Sequence, residues 1–145
     1  MKRKTIVRVH IGATIVAMLT ILTFFGLSLF AEIKGKIQFI MQVKTFILYA
    51  LPVMIITMPV LKITGDKLAG KAKNPILLAK QKRMKWMLIN GMGLLVLAIF
   101  LYCRSHLYTM DYVFFLAQMV EFMLGLANLT LLIINAKQGM QLSKK

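Results

Sequence analysis

The segment FFLAQMVEFMLGLANLTLLIINA, Phe114 to Ala136, decides the fold class. It is apolar enough to cross a bilayer, yet it carries Glu121 near its middle and Asn128 one heptad later. At ~1.5 Å per residue, a helix of this length spans a hydrocarbon core of ~30 Å. Backbone groups inside lipid must be paired within the segment, and a helix achieves this. We therefore predict a transmembrane helix with polar groups inside it.

Three further apolar runs precede this one in a chain of 145 residues, 59% of them hydrophobic, with a mean hydropathy of +0.78. The runs are apolar on all sides, unlike the one-sided surface helices of soluble domains. Short connections make successive helices antiparallel neighbours. We predict one all-α domain, an integral membrane antiparallel four-helix bundle, with spans at about 9–31, 37–61, 86–103 and 112–136.

The net charge of +15 is distributed unevenly along the chain. Most of the 19 basic residues lie before residue 9, between residues 62 and 85, or after residue 136. The positive-inside rule assigns such regions to the cytoplasm. We therefore predict an N-in, C-in topology with a cytoplasmic basic loop at 62–85. Topology and attraction to anionic lipids at the cytoplasmic face explain the basic excess, so nucleic acid is not an expected partner.

The polar residues of the last span recur at helical spacing and form one stripe. Such a stripe should face the bundle interior, because a carboxylate or carboxamide facing lipid costs several kcal/mol. Binding helices to one another is the competing interpretation for the carboxamides. The stripe consists of Gln118, Glu121, Gly125, Asn128, Leu132 and Asn135.

Lys44 is the only basic residue inside the second predicted span. Counted from the outer ends of their spans, Lys44 and Glu121 lie roughly 10 and 14 Å deep at the rise of an α-helix. An isolated charge at this depth is costly, so we predict a buried ion pair between them, with Gln42 and Gln118 nearby. The alternative is that Lys44 reaches outward to the interface alone.

A second polar layer lies toward the cytoplasmic side. A neutral imidazole is a common ligand of haem iron, and His10 is the one histidine inside the predicted spans. We predict that His10 is the metal ligand, an axial ligand of haem b, and that Thr14, Asn90 and Asn128 line the cofactor site at the same depth. One of these groups would accept a hydrogen bond from the second ring nitrogen of His10.

The other histidine, His106, follows the third span on the opposite side of the membrane. One subunit therefore cannot hold one haem with both histidines across a core of ~30 Å. A methionine, an open position or His10 of a second chain would complete the coordination. The last arrangement requires a homodimer, which Gly12 and Ala13 would permit on the first helix.

The segments VRVHIGA, AKQKRMKWMLINGMG and AQMVEFMLGLANLTLLIINAKQGMQL together resemble a family of small four-span bacterial inner-membrane proteins without an assigned activity. The resemblance implies a multi-pass protein of the bacterial inner membrane. In plan the chain is also loosely similar to membrane b-type cytochromes, although their paired transmembrane histidines are absent. The family positions correspond here to Arg8, His10, Lys44, Lys82, Arg83, Met84, Asn90, Glu121, Asn128, Leu129, Thr130 and Leu131.

These observations favour a small haem-binding membrane protein that acts in electron transfer, like a b-type cytochrome, or in haem handling. Two other classes stay open. One is a non-enzymatic membrane assembly factor or subunit, in which buried polar groups specify packing. The other is a small proton-coupled transporter that uses Lys44 and Glu121. No serine, histidine and acid converge at one depth, so no catalytic residues are assigned, and whether the protein is an enzyme stays open.

Overall fold

The computed structural model describes residues 2–70 and 74–143, and this part of the chain is almost entirely helical. The helices are α1 (Arg3–Lys34), α2 (Ile37–Ala69), α3 (Pro75–Leu107) and α4 (Tyr112–Ser143). All four are long and apolar enough to cross a membrane. The fold class is therefore all-α, and the four candidate spans indicate a multi-pass membrane protein.

The helices extend beyond most of the predicted span limits. Within the basic loop at 62–85, α2 continues to Ala69, beyond the predicted end of its span, and α3 begins at Pro75, where the Asn74-Pro75 pair predicts a helix start. Lysine, arginine, glutamine and alanine are strong helix formers, so the helices continue past their apolar parts. Hydropathy measures only the part of a helix that suits lipid. A helix of 33 residues is ~50 Å long, longer than a hydrocarbon core of ~30 Å.

Local signals in the sequence set three of the helix ends. The side chain of Asn74 accepts a hydrogen bond from the backbone N–H of Ile76, and Pro75 occupies the first turn, which suits its fixed φ. Gly35 ends α1 with φ +62°, a left-handed conformation that glycine adopts without a Cβ penalty. Asp111 caps α4 by accepting a hydrogen bond from the N–H of Phe114 at 3.2 Å.

Each helix packs against the next one along the chain, and α4 also packs against α1. The interface between α1 and α4 is the least extensive of the four. Two apolar clusters form the core. One contains Ala31, Ile40, Val43, Ile47, Leu51, Ala98, Leu101 and Phe114. The other contains Ala17, Ile21, Met54, Met58, Leu61, Met87 and Leu132.

The outer surface of the bundle is apolar along the middle of the helices. Leu19, Ile56 and Val96 are 60%, 66% and 68% exposed. Soluble proteins rarely expose a continuous apolar surface of this kind. The exterior therefore matches hydrocarbon better than water, in agreement with the length and hydropathy of the helices.

Candidate functional site

A buried ion pair joins α2 to α4. Lys44 on α2 is only 1% exposed, and its Nζ donates a hydrogen bond to Glu121 Oε2 at 2.8 Å. The same ammonium group donates to Ser28 Oγ of α1 at 3.2 Å. Three helices thus converge on one lysine. The structure brings together the two charged residues that the depth argument pairs, and Lys44 does not reach outward.

Gln118 adds a second donor to the carboxylate. Its Nε2 donates to Glu121 Oε2 at 2.6 Å from one turn earlier on α4. Gln118 Oε1 is buried and has no hydrogen-bond partner. The expected participation of Gln42 is wrong, because this side chain is exposed and lines a surface groove with His106. Both glutamines lie at suitable depths, but only Gln118 is on the inner side of its helix.

A second carboxylate, Glu32 of α1, belongs to the same cluster and was missed in the sequence. It lies close enough to both Lys44 and Glu121 to interact with them electrostatically. Its Oε1 is buried and has no partner. The available signal was its spacing of four residues from Ser28, which places both on one helix face. We call Ser28, Glu32, Lys44, Gln118 and Glu121 the charged cluster.

The charges within this cluster do not balance. Glu121 pairs with the Lys44 ammonium group, and Glu32 adds a second carboxylate nearby without a direct bond to it, so the fully ionised cluster carries one excess negative charge. An uncompensated charge in a low-dielectric interior costs several kcal/mol. One bound proton makes the cluster neutral. The arrangement can therefore hold one proton.

Glu121 also lines a cavity of about 50 Å³ between the helices. Its walls are apolar apart from Glu121, so the carboxylate is the only polar side chain of the described residues that faces this space. Phe25 of α1 and Phe122 of α4 border it and meet edge to face, with ring centroids 5.3 Å apart. Its other lining residues are Ile21, Phe24, Ile47, Leu51, Met54, Gly91, Leu94, Leu95, Ala98 and Gly125.

Asn128 is fully buried behind the cavity wall. Neither atom of its carboxamide has a hydrogen-bond partner. A Cβ built on Gly91, which lines the cavity, would lie 3.9 Å from Asn128 Nδ2.

The predicted inward orientation of the α4 stripe is confirmed, because Gln118, Asn128 and Leu132 are at most 2% exposed.

His10 has a hydrogen-bond partner on α2. Its Nδ1 lies 2.8 Å from Thr64 Oγ1. The Thr64 hydroxyl donates to the carbonyl of Val60 at 2.6 Å, so its oxygen accepts from the ring. This assignment puts the proton of a neutral imidazole on Nδ1 and leaves a lone pair on Nε2. Gly65 lies beside the ring. Its missing side chain leaves the space that the thioether of Met84 occupies, because a Cβ there would overlap it.

The predicted partners of the His10 ring differ from the observed one. The Thr14 hydroxyl donates to the carbonyl of His10 itself at 2.8 Å, and the ring contacts Thr64 instead. Asn90 is half-buried, and neither Asn90 nor Asn128 makes a side-chain hydrogen bond to His10 within the described residues. Thr64 lies beyond the predicted end of the second span at residue 61 and is therefore not among the predicted partners.

His106 lies in the last turn of α3, which extends to Leu107, rather than in the connection that follows. Its Nε2 is 3.1 Å from Thr45 Oγ1 on α2. Across residues 2–70 and 74–143, no three histidine, cysteine or acidic side chains gather as metal ligands would. Haem iron needs only one or two axial ligands, so this finding does not bear on the haem hypothesis.

Comparison with known proteins gives no relative from which a function could be transferred: no protein-family model matches the chain, and neither does a curated protein or a solved structure at a significant level. The chemistry of the site is therefore the basis for the proposals below.

Proposed function

We propose that the protein is a small proton-coupled transporter of the bacterial inner membrane, with the charged cluster as its proton-binding centre. Its helices cross the bilayer antiparallel, with both termini in the cytoplasm. Two contacts support the antiparallel order of neighbouring helices. His10 near the start of α1 meets Thr64 near the end of α2, and Arg83 near the start of α3 meets Asn135 near the end of α4.

The observation that carries the proposal is the presence of two carboxylates around a single buried lysine. A structural ion pair needs one carboxylate for one ammonium group. The second carboxylate, Glu32, adds an uncompensated negative charge within helices that otherwise suit lipid. Ionisable groups inside membrane spans that exceed what packing requires commonly mark proton or ion pathways.

Protonation of Glu121 would weaken its attraction to Lys44 and hence the contact between α2 and α4. The ammonium group can then pair with Glu32 of α1 instead. Lys44 would then connect α2 to α1 instead of α4, next to the cavity that Glu121 lines. The neighbouring contact between α1 and α4, which includes the Phe25–Phe122 pair, would separate first, because it is the least extensive helix interface.

A test is the transient current that a pH jump produces in proteoliposomes on a solid-supported membrane. Proton entry into a membrane-buried site displaces charge even when the substrate is unknown. We expect a current from the unmodified protein and its loss in Glu121→Gln and Glu32→Gln. Asp66→Asn is the matched control, because Asp66 pairs with Lys62 outside the cluster. A current no larger than that of protein-free vesicles would overturn the proposal.

The second candidate function is haem b binding with His10 as axial ligand. The observation that favours it is the hydrogen bond to Thr64, which orients the ring and leaves Nε2 with its lone pair, as outer-shell partners of metal-binding histidines do. Bound haem would supply one-electron chemistry for electron transfer or haem handling. Met84 and the ring both border Gly65, so its thioether is a candidate second ligand.

The haem hypothesis is tested by a dithionite-reduced minus oxidised optical spectrum of protein expressed with a haem precursor. We expect a haem spectrum that is lost in His10→Ala and weakened in Thr64→Val, which keeps the shape but removes the acceptor. Bis-histidine iron also requires a dimer; Gly12 is exposed and free for such a contact, whereas Ala13 packs against the core. A colourless protein, or a spectrum unchanged by His10→Ala, would reject this function.

A further inference from the structure

Two basic residues near the start of α3 differ from their neighbours in burial. Lys80 and Arg83 are half-buried, whereas Lys82 and Lys85 are exposed. Solvated basic residues at a membrane surface normally extend outward and need no partner. Lys80 and Arg83 instead lie along α4, where a positive charge has less access to water.

Side chains of α4 hold the Arg83 guanidinium group in place. Its Nε donates to Asn135 Oδ1 at 2.8 Å, and a second nitrogen donates to Gln138 Oε1. These amide oxygens occupy two of its five N–H donors but carry no net charge. Arg83 is therefore oriented by α4 without being neutralised.

Lys80 lies beside Arg83 and packs against Gly139 of α4. A Cβ at Gly139 would be 3.3 Å from Lys80 Nζ, so the glycine leaves the space that the ammonium group uses. Lys80 is close enough to Arg83 and to His10 to affect both electrostatically. Two half-buried cations side by side repel each other, and an anion between them would offset this repulsion.

The chain has no side-chain carboxylate left to serve as that anion. It contains only four acidic residues. Glu32 and Glu121 belong to the charged cluster, Asp66 pairs with Lys62, and Asp111 pairs with Arg104. Any counter-anion of Lys80 and Arg83 therefore comes from outside the set of acidic side chains.

We propose that Lys80 and Arg83 form a phosphate-binding site where α3 packs against α4. The planar fork of arginine matches the oxygens of a phosphate group, and lysine supplies a second positive charge. Basic pockets between transmembrane helices bind anionic headgroups in this way. The ligand is the phosphate of an anionic lipid headgroup or free inorganic phosphate, which share the same chemistry.

The position of the site along the helix agrees with a headgroup. Trp86 follows Arg83 by three residues and is 53% exposed, and tryptophan is enriched where membrane meets water. Lys80 and Arg83 precede Trp86 on α3 and are nearer the start of the helix. Lipid phosphates would lie at that level if Trp86 marks the membrane interface. This site does not depend on proton coupling, because it shares no residue with the charged cluster.

Trp86 is the only tryptophan of the chain and reports on the site. The experiment titrates the detergent-solubilised protein with short-chain phosphatidylglycerol, phosphatidylcholine or inorganic phosphate and records Trp86 fluorescence, while native mass spectrometry counts bound lipid. We expect saturable binding of phosphatidylglycerol that is about tenfold weaker, or ~1.4 kcal/mol, in Lys80→Met and in Arg83→Met. Lys80→Arg should retain binding, which separates loss of charge from misfolding.

Lys82→Met is the matched control, because it removes the same charge from an exposed position on the same helix. Binding of inorganic phosphate alone would identify free phosphate as a ligand, and binding of phosphatidylglycerol alone would identify a lipid headgroup. Equal weakening in Lys82→Met and Lys80→Met would overturn the proposal, since it indicates attraction to net charge. Equal binding of phosphatidylcholine and phosphatidylglycerol without phosphate binding would overturn it as well.

Discussion

At the scale of single residues, Lys44 connects three of the four helices through one buried side chain. It is 1% exposed and contacts both Glu121 and Ser28, so one ammonium group connects α2 to α4 and α1. A buried pair is not strongly stabilising by itself, because desolvation offsets the attraction. Removing one partner is nevertheless costly, since the other charge stays behind without compensation.

We predict that Lys44→Met and Glu121→Gln each destabilise the protein, Lys44→Met by ~3–5 kcal/mol, and that the double variant loses less than the sum. Lys44→Met should be the more harmful change, because it leaves Glu32 and Glu121 facing each other. The measurement is thermal unfolding in detergent. The control cycle uses Lys62→Met and Asp66→Asn, a more exposed pair four residues apart whose coupling should stay below ~1 kcal/mol. Additive losses at Lys44 and Glu121 would contradict the prediction.

At the scale of elements, the connection between α3 and α4 shows how a short segment defines a helix start. Asp111 accepts a hydrogen bond from the N–H of Phe114 and receives the Arg104 guanidinium at 2.6 Å from each carboxylate oxygen. The hydrogen bond from the Arg104 side chain is the largest cause of a lowered pKa of Asp111, and the hydrogen bond from the Phe114 N–H is the second. Asp111 thus caps α4 and joins it to the end of α3.

We predict that Asp111→Asn lowers the melting temperature and that Asp111→Ala lowers it further. Asparagine keeps an oxygen for the Phe114 N–H but loses the charge, whereas alanine loses both. Because the native pKa is lowered, the charge contributes stability above the ordinary aspartate value of ~3.9 and loses it as the pH falls below that value.

The measurement compares melting temperatures of the wild type and Asp111→Asn between neutral and acidic pH. Their difference should shrink as the pH falls, and the contributions of Glu32 and Glu121 cancel because both proteins contain them. A difference that stays constant down to pH ~3 would contradict an ionised Asp111 as the cause.

At the scale of the whole molecule, the distribution of charge along the chain predicts its orientation. The basic residues concentrate at the start of α1, around the α2–α3 connection and after the apolar part of α4, whereas Lys34, Lys36 and Arg104 lie near the other connections. Under the positive-inside rule, the richer regions are cytoplasmic. The same orientation places the proposed phosphate site at the cytoplasmic leaflet, where anionic lipids attract basic residues.

We predict that a cysteine at Ala72, in a chain with Cys103→Ser, does not react with an impermeant maleimide added to intact cells. The reason is that Ala72 lies in the basic region that the positive-inside rule assigns to the cytoplasm. The matched position is Thr109→Cys in the α3–α4 connection, which should react. Labelling that is stronger at residue 72 than at residue 109 would reverse the proposed orientation.

The sequence by itself determined the four helices, the starts of α2 and α4, and the buried stripe on α4. These features are local. Backbone groups in apolar surroundings require a helix, the start of an apolar run is visible in the sequence, and a spacing of three and four residues fixes one helix face. Rise per residue also gives the depth of a group, which was enough to match Lys44 with Glu121.

Only the tertiary structure decided which groups at one depth meet. Glu32 and Ser28 belong to the charged cluster, and Gln42 does not. The His10 ring forms its hydrogen bond with Thr64, not with Thr14, Asn90 or Asn128. Depth gives position along a helix but not its rotation about the axis, and a helix that is apolar on nearly all sides carries little information about rotation. That rotation follows from packing all four helices against one another at once, which no single segment of the sequence contains.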